Sequence, residues 1–336
     1  MKRNQRNAFT LVELLTVMAI IVLLVGILVP ALSAARDQAK KASTTGQIGA
    51  IEKGIQLFHT ELDKYPVSTR ANPFETSTVP LTGAQWLALQ LVGADGAGFV
   101  KDDLKNDTSN SGTADGRINA TDWLQWYSLS PAGGRKFARL NPLVDQDGKT
   151  LRTPAKLVAE HPEYGDLPAA MTAGSSEWNN DKIPMFIDAF GYPILYYAAT
   201  LGAEQPITTG NPSSNLKIGT YDLSDNAAIT GAVESATNGN GNFGRFPVPG
   251  PGWDFASANQ TPIHPFGVLG YTQGQATWPA SNTFAASICD RNIFDTTQRG
   301  NQGRLAPLRA DSYILVSPGR DGRYGTNDDV RNYPFN

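Results

Sequence analysis

Residues 7–30 read NAFTLVELLTVMAIIVLLVGILVP, a hydrocarbon stretch with one carboxylate near its start, Glu13, and a proline at its end, Pro30. Residues 9–28 are long enough to cross a bilayer: at ~1.5 Å rise per residue they make about 30 Å of helix, the thickness of a hydrocarbon core. Lys2, Arg3 and Arg6 precede the run without any acid. Cations placed there hold that end on the cytoplasmic side. An ordinary secretory signal is the competing reading, and ALSAA at 31–35 offers small residues for its cleavage. Such a signal has a shorter apolar region followed by its cleavage site. Here the run begins at Phe9 and passes through Pro30 into a polar helix without a break. That favours an anchor kept in the mature protein.

Glu13 separates the two readings. A carboxylate near the centre of a bilayer helix costs roughly 2.5–3.5 kcal/mol, and it requires a partner. One reading has it reaching the headgroups from the helix end. The other supplies a positive charge: a cut between Ala8 and Phe9 creates an α-amino group four residues before Glu13. Glu13 of one copy then neutralises the amine of Phe9 in the next. Pro30 also has two readings, a membrane-exit signal or a point where the helix loosens, because proline removes a backbone hydrogen bond and crowds the preceding turn.

The stretch AFTLVELL with its long apolar helix resembles the class III leader and N-terminal helix of type IV pilins and type II secretion pseudopilins. The matching residues are Phe9, Thr10, Leu11, Glu13 and Leu14. The resemblance implies that prepilin peptidase cuts between Ala8 and Phe9 and N-methylates Phe9. It also implies that Glu13 and Pro30 serve filament assembly. The family usually carries glycine before the cut, and this chain carries Ala8. Alanine is also small, so cleavage is expected.

Beyond Pro30 the helical period continues. Ile48, Ile51, Ile55, Phe58 and Leu62 step by three and four and form one apolar stripe, which predicts packing on a sheet. Gln47, Glu52, Lys53, Gln56 and Glu61 make the opposite face. Gly46, Gly49 and Gly54 each cost about 1 kcal/mol relative to alanine unless a close backbone contact uses them. Pro66 closes the segment. LFHTELDKYP (57–66) resembles the helix end of major pseudopilins.

DAFGYPILYY (188–197) reads as a tight turn at Asp188 and Gly191 leading through Pro193 into a strand. It resembles the turn that enters the pseudopilin sheet. The ending SYILVSPGRDGRYGTNDDV (312–330) reads as a strand at 312–316 and then a glycine-rich, oxygen-rich loop. Three carboxylates crowded together repel without a cation, and Ca²⁺ takes six to eight oxygens at about 2.3–2.6 Å. A solvated acidic turn is the plain alternative. The loop resembles the calcium loop that ends the major pseudopilin. That resemblance implies Asp321, Asp328 and Asp329 as ligands, with Ser317 or Thr326.

The middle of the chain says less. WLALQLVG (86–93) reads as a short amphipathic helix. Asp115, Asn119 and Asp122 match the latter half of a dockerin-type calcium loop, but Ser111 and Thr113 stand where its first acids belong. A turn with Asp122 as a helix cap accounts for the same residues. GNGNFG (239–244) follows no strand, which argues against a nucleotide site. His59 reads as a helix-surface residue, and His161 and His264 read as loop residues. The tryptophans read as core. One cysteine, Cys289, allows no intrachain disulfide. Net charge is −3 and no basic stripe occurs, so nucleic acid is excluded as a partner class. No G-x-S-x-G or H-E-x-x-H motif and no spaced pair of catalytic carboxylates occurs. The chain therefore reads as a structural protein and not an enzyme.

The expected fold class is α+β: a long N-terminal helix, membrane-embedded in its first half, on a small antiparallel sheet with large loop-rich insertions at 67–182 and 198–310. The expected organisation is a leader at 1–8, a transmembrane segment at 9–29, a soluble helical segment at 30–65 and a head at 66–336, with the calcium-type loop at 317–330. By the resemblance, the chain is a filament subunit, in first place of major-pseudopilin type in a type II secretion system. A type IV pilus subunit and a membrane-tethered binding or adhesion protein are the alternatives. The implied partners are other copies of the chain in a helical filament, prepilin peptidase, an inner-membrane assembly platform and minor pseudopilins. The implied location is the bacterial cytoplasmic membrane, single-pass, with the head outside the cytoplasm.

Overall fold

The computed structural model describes residues 11–68, 81–92, 99–100, 139–140, 150–162, 183–199, 217–218, 220–231, 264–271, 277–279, 282–293 and 305–334. The chain divides into two compact units, Met1–Ala42 and Ser43–Asn336. Helix α1, Leu11–Leu62, is continuous over 52 residues and carries Pro30 inside it without ending there.

In the first unit the large apolar side chains of α1 are exposed. Leu11, Leu15, Ile21, Leu24 and Val29 show about half to three-quarters of their surface. Among the described residues, α1 is the one helix long and apolar enough to cross a membrane. A continuous apolar surface of this kind is covered by lipid or by other protein, not by water.

In the second unit the helical stripe meets the head as expected. Ile48, Ile51, Ile55 and Phe58 are all buried, and the Leu62 side chain lies outside the described residues. Gly46 and Gly49 do not serve packing within the chain, since an added Cβ at either would meet nothing within 4 Å. The helix stops at Leu62, where Asp63 takes a left-handed φ of 58° and its N–H bonds the His59 carbonyl at 2.8 Å. His59 then lies against the Tyr65 ring.

Helix α2, Gly83–Val92, is buried on every side. It was expected to be amphipathic. The difference lies in Gln85 and Gln90, whose amides are bonded inside the protein. Gln90 exchanges hydrogen bonds with the backbone of Val67 at 2.9 and 3.0 Å, and Gln85 donates to the Ile183 carbonyl at 3.3 Å. A satisfied amide can be buried at little cost. Gly83 lets α2 approach the sheet, because a Cβ there would collide with the Tyr196 carbonyl.

Short strands β1 (Phe99–Val100) and β2 (Arg139–Leu140) pair antiparallel, and β3 (Leu151–Arg152) pairs with β4 (Met185–Phe186). Between the latter two lies α3, Pro154–Glu160, capped by Thr153, whose hydroxyl accepts the Lys156 N–H at 3.2 Å. The central sheet joins β5 (Leu195–Ala198) to a strand near the C-terminus. Between them come the hairpin of β6 (Lys217–Ile218) with β7 (Tyr221–Asp222), then α4 (Ala227–Thr230) and α5 (Phe284–Ile288). The final strands are β8 (Tyr313–Ser317) and β9 (Val330–Arg331), giving the antiparallel order β5-β8-β9. Leu195 faces Val316 and Ala198 faces Tyr313 across the β5–β8 register.

Successive side chains on a strand point to opposite faces. Tyr196, Ala198, Tyr313, Leu315 and Val330 therefore join α1 and α2 in one core. Leu195, Tyr197, Ile314 and Val316 enter a second core with Tyr221, Phe266, Phe284 and Tyr324. Part of the second insertion thus folds over the far face of the sheet, and Cys289 and His264 are both fully buried there. His264 was expected to be an ordinary loop residue. It precedes a 3-10 turn at Pro265–Gly267, but its ring is interior. Trp86 is core as expected, and Trp278 packs at the edge of the second cluster. Helix α1 is also tied to the C-terminus, since Glu52 accepts from Arg309 and from Asn332, both at 3.1 Å.

Candidate functional site

Three places carry the residues singled out by sequence. The first is the start of α1. Glu13 lies in its first turn and Pro30 in its interior. Ala8 and Phe9 lie outside the described residues, as do Asp115, Asn119 and Asp122.

The second place is the turn at Asp188. Its Oδ1 accepts the N–H groups of Phe190 and Tyr192 at 2.8 and 2.9 Å, and the Gly191 N–H bonds the Asp188 carbonyl at 3.1 Å. Gly191 sits at φ 100°, a conformation that favours glycine. The Ala189 N–H reaches the Thr44 hydroxyl at 3.2 Å, which pins the turn to α1. Oδ2 of Asp188 accepts the Ser317 hydroxyl at 2.6 Å. Burial pushes the Asp188 carboxyl up to about 6 against the pull of these donors.

The third place is the C-terminal loop. A 3-10 turn at Gly319–Asp321 follows β8, and Gly319, Gly322 and Gly325 all have positive φ. Thr326 donates to Asp328 Oδ1 at 2.5 Å, and Asp328 Oδ2 accepts the Asp321 N–H at 2.9 Å. Asp321 in turn accepts the Arg323 N–H at 2.8 Å. Burial, and then the Asp328 charge, push the Asp321 carboxyl above its usual range. Two carboxylates and a hydroxyl lie in this turn, Asp321 exposed and Asp328 and Thr326 half-buried, where roughly six to eight oxygens would be needed around Ca²⁺. Asp321, Asp328 and Thr326 are thus brought together.

Asp329 and Ser317 are engaged elsewhere. Asp329 is 2% exposed and forms an ion pair with Arg331 at 2.8 Å. Burial lifts its carboxyl to about 6 although Arg331 opposes the shift. Ser317 is committed to Asp188. Among the described residues, no group of three or more His, Cys, Asp or Glu side chains is placed to hold a metal. Arg331 escaped the sequence reading, although its position two residues after Asp329 offered a signal. His264 and Tyr324 had none, because their contact spans 60 residues: the Tyr324 N–H reaches His264 Nδ1 at 3.3 Å.

Comparison with known proteins bears on the first place. The family profile described as the prokaryotic N-terminal methylation motif matches residues 3–29, a span that contains Ala8, Phe9 and Glu13. Among curated proteins, the type II secretion system core protein G of Pseudomonas aeruginosa is 33% identical over 66 residues, 20% of this chain and 46% of that protein. The chain therefore spans about half the length of this relative. No solved structure matches the chain.

Proposed function

We propose that this chain, whose N-terminal segment is that of the type IV pilin and pseudopilin superfamily, is a structural subunit of a pilin-like filament, of major-pseudopilin type in a type II secretion system. The observation that carries the reading is the methylation-type motif on a membrane-length helix with Glu13 in its first turn. The motif and the apolar helix indicate membrane anchoring. The chain waits in the cytoplasmic membrane, single-pass, with its head outside the cytoplasm. Prepilin peptidase cuts before Phe9 and methylates it. Copies then leave the membrane for a helical filament, driven by an inner-membrane assembly platform and joined by minor pseudopilins.

Within that filament the exposed apolar face of α1 exchanges lipid for neighbouring helices. Glu13 of one copy neutralises the Phe9 amine of another, so the charge that is costly in lipid becomes a register contact. Pro30 loosens the helix where copies pack. Asp321, Asp328 and Thr326 hold a calcium ion with the help of backbone carbonyls. Calcium supplies positive charge to the two carboxylates when bound, and the loop residues hold it in place.

The test is Glu13→Ala in the native host. Membrane insertion is expected to be unchanged, while the assembled fraction, read by shearing and cross-linking, falls at least about tenfold, as expected when a register-fixing charge pair is lost. Normal filament yield from the variant would contradict the charge-pairing role.

A further inference from the structure

The three carboxylates of the C-terminal loop divide into two classes. Asp321 and Asp328 are at the rim, and Asp321 is exposed while Asp328 is half-buried. Asp329 is interior, and both of its carboxylate oxygens are hydrogen-bonded. Its Oδ2 accepts from Arg331 Nη2 at 2.8 Å, from Arg331 Nε at 3.2 Å and from the Gly325 N–H at 2.9 Å. Its Oδ1 accepts the Thr326 N–H at 3.2 Å. The Arg331 side chain is itself 5% exposed, and its guanidinium lies 5.7 Å from the centre of the Tyr333 ring. A buried carboxylate needs a cation and donors around it. Here the cation is a side chain, and its fork geometry matches the carboxylate edge.

The other side of the loop is gripped by the second insertion. The Phe266 N–H bonds the Tyr324 carbonyl at 3.0 Å, and the Tyr324 N–H bonds His264 Nδ1 at 3.3 Å. The Tyr324 hydroxyl reaches the Pro193 carbonyl at 2.6 Å. Gly325 sits at φ 97°, and a Cβ there would lie 2.5 Å from the Asn282 carbonyl oxygen and 2.8 Å from the Phe266 nitrogen. Tyr324 and Gly325 are therefore fitted against the 264–266 segment and Asn282 as closely as backbone allows.

We propose that Arg331 is the resident cation of this loop, and that Arg331 with the 264–266 segment builds its inner half without a metal. The rim carboxylates Asp321 and Asp328 alone are then left for a divalent ion. Arg331 and His264 are positioning residues: they touch no metal, but they set the loop geometry on which the rim depends. This also gives the second insertion a structural task, bracing the C-terminal loop from beneath. The rim assignment rests on the calcium reading above, and the inner brace does not.

The experiment is residue-resolved amide hydrogen exchange on the full-length chain in detergent, with EGTA or with calcium chloride. In EGTA the Gly325 and Thr326 amides are expected to stay protected, and calcium leaves them unchanged. The Asp321 and Arg323 amides slow only when calcium is added. Arg331→Gln is expected to speed Gly325 and Thr326 by at least about tenfold in both conditions, a local opening, and Arg331→Lys restores part of the protection. Rapid exchange of Gly325 and Thr326 in EGTA, rescued by calcium, would overturn the proposal even if the glutamine variant failed to fold. So would unchanged protection in Arg331→Gln. If calcium slows no amide while Gly325 and Thr326 stay protected, the rim assignment and the calcium reading fail and the brace is supported.

Discussion

Asp188 shows how a single carboxyl can organise a head. It caps its own turn, receives the Ser317 hydroxyl from β8, and lies one residue from the Ala189 N–H that holds Thr44 of α1. Its folded-state carboxyl is pushed by burial to about 6, above the ordinary 3.8. The folded protein therefore keeps a proton that the unfolded chain has already released. The stability linked to that proton is fully present below about pH 4 and is lost as the pH rises through about 6. Asp188→Asn cannot titrate. Relative to the parent chain it is expected to lose most stability at pH 4 and least at pH 7, a span of up to about 3 kcal/mol. Denaturant titrations of the detergent-solubilised chain across that range check it, and a constant offset at every pH would contradict it. The sequence marked Asp188 and Gly191 as turn residues, because their chemistry is local. It did not reveal that Ser317 answers Asp188, since the two lie 129 residues apart in sequence. Ser317 and Asp329 are expected as metal ligands by the resemblance; in the structure Ser317 donates to Asp188 and Asp329 pairs with Arg331, the first a distant partner and the second only two residues away.

At the scale of elements, helix α1 was the most legible part. Its stripe of Ile48, Ile51, Ile55 and Phe58 follows helical spacing, and all four side chains are buried. Phe58→Ala is expected to destabilise the head by about 3–5 kcal/mol, as for other buried aromatics. Leu57→Ala, one position away but 52% exposed, is expected to stay within about 0.5 kcal/mol. Chemical denaturation of the two variants reads the contrast, and equal losses would show that the stripe is misassigned. The strand pair was legible in outline. PILYY and SYILVS are rich in β-branched and aromatic residues, which marks them as strands. The cover on the far face was not legible. It consists of short helices and turns around Phe266, Phe284 and Tyr324, too short to show any period. Helix α2 was found but misread, because Gln85 and Gln90 look like a solvent face until their backbone partners are known.

At the scale of the whole molecule, two surfaces stand out as built for different surroundings. Leu11, Val12, Leu14 and Leu15 keep most of their surface exposed, so that part of α1 presents apolar side chains that the head does not cover. The head buries its own sheet on both faces and closes its C-terminal loop with its own side chains. This division of labour suits a subunit that is stored in a membrane and later packed into a filament. Under the proposed function, processing exposes an amine at Phe9 that Glu13 answers. The direct measurement is intact-mass and N-terminal peptide mass spectrometry of the chain purified from membranes of a host with its prepilin peptidase. The expected result is a mature chain that begins at N-methylated Phe9. A chain that begins after Ala35 would contradict it, because α1 would then have been an ordinary cleaved signal.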